Sequence, residues 1–303
     1  MRIGLIARLL LVLTALMVTP GFSFTILDAF DGAVPKDEGT VKVASDIAYA
    51  PGERHGLDIY APSGLTEPAP VMMFIYGGGW NRGDRVEYEF VGHAFAARGF
   101  VTVIADYRVV PEVRFPGFIE DGAAALKWIE ANISQYGGDP GRVYLSGHSA
   151  GAYNAVMLAL EPSFLRDIGA ELTIKGVAGI SGPYSFYPFI VEQAKAAFGN
   201  APNPEGTQPV NLVTAEAPPM FLATGTADLI VRPSNTTLLA EKLNEFRIPV
   251  ETRFYEGLGH MEPVIALSTL ARDRAPVLDQ ITAFFANQGA FDPATGKPPP
   301  LSP

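Results

Sequence analysis

Cysteine is absent from the 303 residues. Its absence excludes disulfides, a cysteine nucleophile, thiolate metal sites and a lipidated N-terminal cysteine. Basic residues are scarce beside acidic ones: 22 Lys and Arg face 32 Asp and Glu, a formal charge of −10. Nucleic-acid backbones are held by Lys and Arg, so the balance argues against a general nucleic-acid partner. Past residue 23 no apolar run reaches the roughly 20 residues of a membrane-spanning helix. Histidine occurs only four times, so a general base can be sought by elimination. Hydrophobic residues make up 48% and charged residues 18%. That is globular composition and excludes wholesale disorder.

Residues 1–23 read as a secretory signal peptide. Arg2 and Arg8 form a positive start, and Leu9 to Val18 is apolar except for Thr14. Pro20 and Gly21 break the run, and Gly21 and Ser23 fit the −3 and −1 positions of a cleavage site. The alternative is an uncleaved N-terminal membrane anchor. Against it, Ile3 to Val18 contains Arg8 and falls short of the ~20 residues a spanning helix needs. The expectation is export, periplasmic or secreted, with no stable membrane insertion once the leader is cleaved.

From about Thr40 the chain alternates strand-like runs with helical patterns. Strands are expected at Val41–Ala50, Leu57–Tyr60, Val71–Tyr76, Phe100–Ala105, Val143–Ser146, Gly176–Ile180, Met220–Thr224 and Val250–Tyr255. Helices are expected at Val86–Arg98, Phe118–Gln135, Ala150–Leu160, Ser234–Phe246 and Ala275–Asn287. Continuous apolar runs such as VMMFIY mark strands covered on both faces. Strands spaced by helices predict an α/β fold with a mostly parallel central sheet flanked by helices. Residues 24–288 would form this domain, and the proline-rich residues 289–303 a flexible tail. Residues 183–219 break the rhythm, with one helical piece near Ile190–Phe198, and are a candidate cap or pocket wall.

Gly147-His148-Ser149-Ala150-Gly151 is G-x-S-x-G, set between an expected strand and an expected helix. A sharp turn there strains the serine and needs small neighbours. A serine nucleophile needs a base. His55 reads as a solvent-facing loop residue, His93 as a partly buried helix residue, and His148 should point away from Ser149. His260, in a glycine-flanked loop past a strand, remains. Asp228 follows the strand at Met220–Thr224 and can orient the imidazole. Glu262 is too near His260 in the chain to reach its ring easily. Asp273 comes after the histidine, which breaks the order Ser, Asp, His. Gly77-Gly78-Gly79 follows the strand Val71–Tyr76. The N–H groups of Gly78 and Gly79, with that of Ala150, are candidates for an oxyanion hole. The same glycines do not make a dinucleotide loop, because Arg82 holds the third glycine position.

YGGGW at Tyr76–Trp80, DYR at Asp106–Arg108 and YGGDPGRVYLSGHSAGA at Tyr136–Ala152 carry a resemblance, completed by TGTADLIV from Thr224 and GLGH around His260. Across roughly Asp46 to Ala286 the chain resembles the α/β-hydrolase superfamily. More narrowly, it resembles small serine carboxylesterases with an HGGGW-type loop, the hormone-sensitive-lipase-like and feruloyl-esterase-like group. Tyr76 departs from the pattern, standing where the group usually has a loop-supporting histidine. The resemblance implies an α/β-hydrolase fold with a small cap and ester hydrolysis through an acyl-enzyme. It implies no cofactor and no metal, and a small-molecule ester as partner. It gives Asp106, Arg108, Asp121 and Asp139 structural roles. Trp80, Tyr184 and Met261 are candidate pocket walls. The aromatic run Tyr184, Phe186, Tyr187 and Phe189 either lines an apolar pocket or packs as core. The alternatives are an amidase such as an aryl formamidase, or an inactive binding protein on the same fold.

Overall fold

Strands rich in apolar residues need cover on both faces, and helices supply it here. The computed structural model describes residues 26–287. The signal-peptide and tail expectations lie outside the described residues. In chain order the strands are β1 (Thr40–Ala48), β2 (Gly56–Pro62), β3 (Ala69–Ile75), β4 (Val101–Ala105), β5 (Gly138–His148), β6 (Ile174–Ile180), β7 (Met220–Gly225) and β8 (Val250–Tyr255). The helices are α1 (Ile26–Ala33), α2 (Glu89–Ala96), α3 (Gly117–Asn132), α4 (Ala150–Leu160), α5 (Ser163–Arg166), α6 (Glu192–Phe198), α7 (Ser234–Glu245), α8 (Glu262–Ile265) and α9 (Val277–Asn287).

The described strands form one eight-stranded sheet in the order β1-β2-β4-β3-β5-β6-β7-β8. β1–β2 and β2–β4 are antiparallel, and every later pair is parallel. β3, β4 and β7 are buried at every residue, as strands covered on both faces must be. β1, at the edge, alternates half-buried and exposed positions. This is the α/β-hydrolase fold. After β3 the chain adds β4 on one side, then crosses to add β5 on the other. Such a reversal opens a crevice beyond the carboxyl ends of the strands, where ligands bind in open α/β sheets.

Two departures from the expected elements have local causes. The helix expected at Val86–Arg98 begins as a 3-10 turn at Arg85–Tyr88, and α2 ends at Ala96. The Asp84 carboxylate accepts the N–H of Val86 and caps that tight turn. β5 starts at Gly138, five residues early, because Gly138 and Asp139 pair with Ala69 and Pro70 before the register shifts. Turn-like residues hid that extension. The elbow between β5 and α4 brings backbones into contact. A Cβ on Gly151 would collide with the Ile75 carbonyl, so only glycine lets α4 sit against β3.

Residues 183–219 connect β6 to β7 and fold as α6 and two short 3-10 turns, 205–207 and 209–211. Side-chain acceptors hold the backbone. Asn235 Oδ1 takes the N–H groups of Tyr184 and Ser185, and Gln208 Oε1 takes those of Phe186 and Tyr187. Phe186 and Phe198 stack on or edge against Trp80 and Tyr153. An aromatic core thus anchors the segment, and aromatic pairs of this kind add about 0.5–1.5 kcal/mol each beyond their burial.

Candidate active site

Ser149 takes φ 55° and ψ −123°, a conformation an L-residue adopts only under constraint. Its N–H donates to the Ile180 carbonyl at 2.9 Å, and its own carbonyl accepts from Ala152 and Tyr153 as α4 begins. The hydroxyl therefore stands out above the sheet. Ser149 Oγ lies 2.9 Å from His260 Nε2. His260 Nδ1 lies 2.8 Å from Asp228 Oδ2. The three candidates, 111 and 32 residues apart along the chain, form one hydrogen-bonded line.

Asp228 is almost wholly buried. Its other oxygen accepts the N–H groups of Ile230 and Val231, at 2.9 Å each. Burial, the largest single influence, would raise its carboxyl. The hydrogen bond and charge of His260, with the two backbone donors, outweigh it and hold the carboxyl below its ordinary range. A carboxylate fixed in this way holds His260 with its proton on Nδ1, leaving Nε2 to accept from Ser149. The rival carboxylates do other work. Glu262 accepts the N–H of Gly259 and pairs with Arg274, while Asp273 is exposed.

The glycine loop lies directly beside the serine. A Cβ on Gly77 would sit 3.0 Å from Ser149 Cβ. Gly78 has φ 132° and Gly79 φ 61°, and a side chain at Gly78 would strike the Arg82 carbonyl. Segment 183–219 reaches the same loop, with Gln193 Cγ 3.5 Å from where a Gly79 Cβ would be. Trp80 is buried, its indole N–H donating to Asn154 Oδ1 at 3.1 Å. It is the floor of the loop. Tyr184, expected as a pocket wall, is fully buried. Its ring fills the space beside Gly179 and Gly182, so it packs as core and offers no surface to a ligand. Met261 is half-buried beside His260.

Beneath the loop lies a polar support that sequence reading resolved only in part. The Tyr76 hydroxyl donates to Asp106 Oδ1 at 2.8 Å and accepts from Arg54 Nη2 at 2.9 Å. Arg54 also donates to the carbonyls of Tyr107 and Gly83. Arg85 bridges Asp58, Asp106 and Asp46. Arg108 grips Asp121, and Asp139 pairs with Arg142. Arg54 and Arg85 both sit in polar stretches, where nothing in the local sequence marks them as partners of buried carboxylates. The usable signal was two carboxylates, Asp58 and Asp106, at buried strands, which require nearby cations. His55 needs correction: it is buried, with Nε2 3.1 Å from Asp121 Oδ1 and Nδ1 2.6 Å from the Pro51 carbonyl. Only tertiary contact between residues 55 and 121 could have shown that. His93 sits in α2, buried, 2.6 Å from Thr40 Oγ1.

The described residues contain no cluster of three metal-ligating side chains. None of their helices is long and apolar enough to cross a membrane.

The BD-FAE family model matches residues 57–243, from β2 into α7. The chain belongs to the BD-FAE family. The span includes the glycine loop, Ser149 and Asp228, and stops short of His260. Beside this BD-FAE member stands a probable isoprenylcysteine alpha-carbonyl methylesterase of Arabidopsis thaliana, 27% identical over 244 residues, covering 73% of this chain and 51% of that protein. Esterase LipC of Mycobacterium tuberculosis is 28% identical over 235 residues, covering 71% and 58%. The chain thus spans between half and three-fifths of these relatives. Among solved structures, esterase B of Lactobacillus rhamnosis superposes with a TM-score of 0.75 at 18% identity, covering 95% of this chain and 96% of that one. That likeness concerns the fold.

Proposed function

We propose that this BD-FAE protein is a serine carboxylesterase. The observation that carries the reading is the line from Ser149 Oγ through His260 to Asp228, at 2.9 and 2.8 Å, beside a glycine loop. Ser149 attacks the ester carbonyl carbon as His260 Nε2 takes its proton. The tetrahedral oxyanion is held by the N–H groups of Gly78, Gly79 and Ala150. Asp228 stabilises the imidazolium. The carbonyl re-forms, the alkoxide leaves with the proton from His260, and an acyl-Ser149 remains. Water then attacks the acyl carbon as His260 takes its proton, the bond to Ser149 Oγ breaks, His260 returns the proton to Oγ, and the acid leaves. The relatives named as esterases support this chemistry, and no step calls for a cofactor.

The surroundings favour a neutral ester with an apolar part. Leu229 and Ile230, directly after Asp228, are 92% and 72% exposed. Ile190 and Val191, just before Gln193 of the cap, are exposed too. Large apolar side chains left in water on segments that flank Asp228 and reach the glycine loop suit an apolar acyl or alcohol group. The arginine and proline pattern of residues 1–23 supports export, which mass spectrometry of the mature N-terminus tests.

The deciding experiment is Ser149→Ala. It should lower turnover of p-nitrophenyl esters by about 10⁶-fold and abolish labelling by a fluorophosphonate. Retained hydrolysis would refute the assignment. Faster cleavage of N-formyl anilides than of matched esters would instead point to an amidase.

A further inference from the structure

His148 is the first of the two variable residues of the G-x-S-x-G turn, and the mechanism above does not use its side chain. Its side chain is nevertheless enclosed at the centre of the site, 1% exposed. One ring face meets the His260 ring, with centroids 4.9 Å apart. Nε2 lies 3.1 Å from the main-chain carbonyl oxygen of His260. A carbonyl can only accept, so Nε2 carries a proton. At the other end Nδ1 is buried with no partner among the described residues, and it lies 3.0 Å from where a Gly77 Cβ would be. The ring therefore spans the gap between the glycine loop and the backbone of the base.

The loop that presents His260 is also tied by Gly257 N–H to Thr226 Oγ1 and Leu258 N–H to the Tyr255 carbonyl, both before the histidine. Ala227 N–H donates to the Leu258 carbonyl, and Gly259 N–H donates to Glu262. The first lies before residue 260, and the second spans it from Gly259 to Glu262. The His260 ring is held by Asp228 and Ser149, and the hydrogen bond from His148, the residue next to the nucleophile, ties its backbone carbonyl.

We propose that His148 is a positioning residue whose Nε2–H, donated to the His260 carbonyl, fixes the reach of the His260 imidazole to Ser149 Oγ. Neutrality suits the task. Burial first, and the nearby charge of His260 second, push its imidazole down to about 3. A second cation therefore never opposes the imidazolium that forms on His260. The groups facing the ring are His260 and, beyond it, Asp228. The proposal builds on the esterase reading, but its geometry stands without it.

Two variants and one measurement on the unaltered protein test it. Gln at this position carries an amide N–H the same number of bonds from the backbone, so His148→Gln should keep kcat within about threefold. His148→Leu keeps bulk but no donor. Its kcat on a soluble ester should fall about 10- to 100-fold, the scale of a displaced catalytic group, with KM nearly unchanged. A leucine variant within threefold of wild type would overturn the proposal, as would equal losses in both variants. If the leucine variant fails to fold, ¹⁵N NMR of histidine-labelled wild type decides. A neutral Nε2–H tautomer from pH 5 to 9 is expected, and an Nδ1–H tautomer or protonation in that range would overturn the proposal. If the wild type neither hydrolyses esters nor takes up a fluorophosphonate, the esterase reading fails, while the tautomer still tests the strut.

Discussion

In the proposed esterase reaction, Ser149, His260 and Asp228 divide the demands among three environments. The serine is held by backbone strain, the aspartate by burial and two amide donors, and the histidine by the groups on either side of it. Asp228→Asn tests that division. An amide can turn its NH₂ toward Nδ1 and force the proton onto Nε2, the wrong tautomer for accepting from serine. Turnover should fall by about 10⁴-fold while ester binding persists. The same carboxyl makes a linkage prediction. Its native value is depressed, so its contribution to stability is present above the unfolded value near 3.9 and is lost as pH falls through the native value. Urea titrations at pH 5 and pH 3 should show a smaller loss in Asp228→Asn than in wild type.

Loops at the ends of β3, β5, β7 and β8 meet at the candidate site, and the β3 loop is shaped by what lies under it. The stretch after β3 would wander if it rested on glycine alone. Tyr76, Arg54 and Trp80 prevent this by tying it to Asp106, to the carbonyls of Tyr107 and Gly83, and to Asn154 on α4. A tyrosine thus fills the place of the expected histidine through an ordinary donor bond to a buried carboxylate. Gly78→Ala should disturb this element more than any other. Its φ of 132° disfavours a side chain, and the new Cβ would meet the Arg82 carbonyl. Steady-state kinetics should show kcat lowered by at least ~10²-fold, the cost of one displaced oxyanion donor. Unchanged kcat would remove Gly78 from the oxyanion hole.

Histidines buried uncharged make the whole molecule lose stability in acid. His148 is pushed down to about 3, whereas an unfolded histidine titrates near 6.5. Between those values the unfolded chain binds the extra proton, so this stabilising contribution is complete above 6.5 and is lost as pH falls. His93, also lowered by burial, acts with the same sign. The stability gap between wild type and His148→Gln should therefore move by about 2 kcal/mol in the variant's favour between pH 7 and pH 5. Chemical denaturation at the two values measures it, and an unmoved gap would show that His148 titrates alike in both states.

The eight strands, the elbow at Ser149 and the order Ser149, Asp228, His260 were all readable along the chain, because each rests on local chemistry. Apolar runs must be covered, a strand-to-helix turn needs small residues, and a base needs an acceptor. What folding alone settled depends on which distant residues meet. Tyr184 packs under Gly179 and Gly182 instead of lining a pocket. His55 is buried on Asp121 instead of facing water. Arg54 and Arg85 neutralise carboxylates beneath the glycine loop. Burial and charge pairing depend on distances in space, and one-dimensional spacing carries no record of those until the sheet has closed.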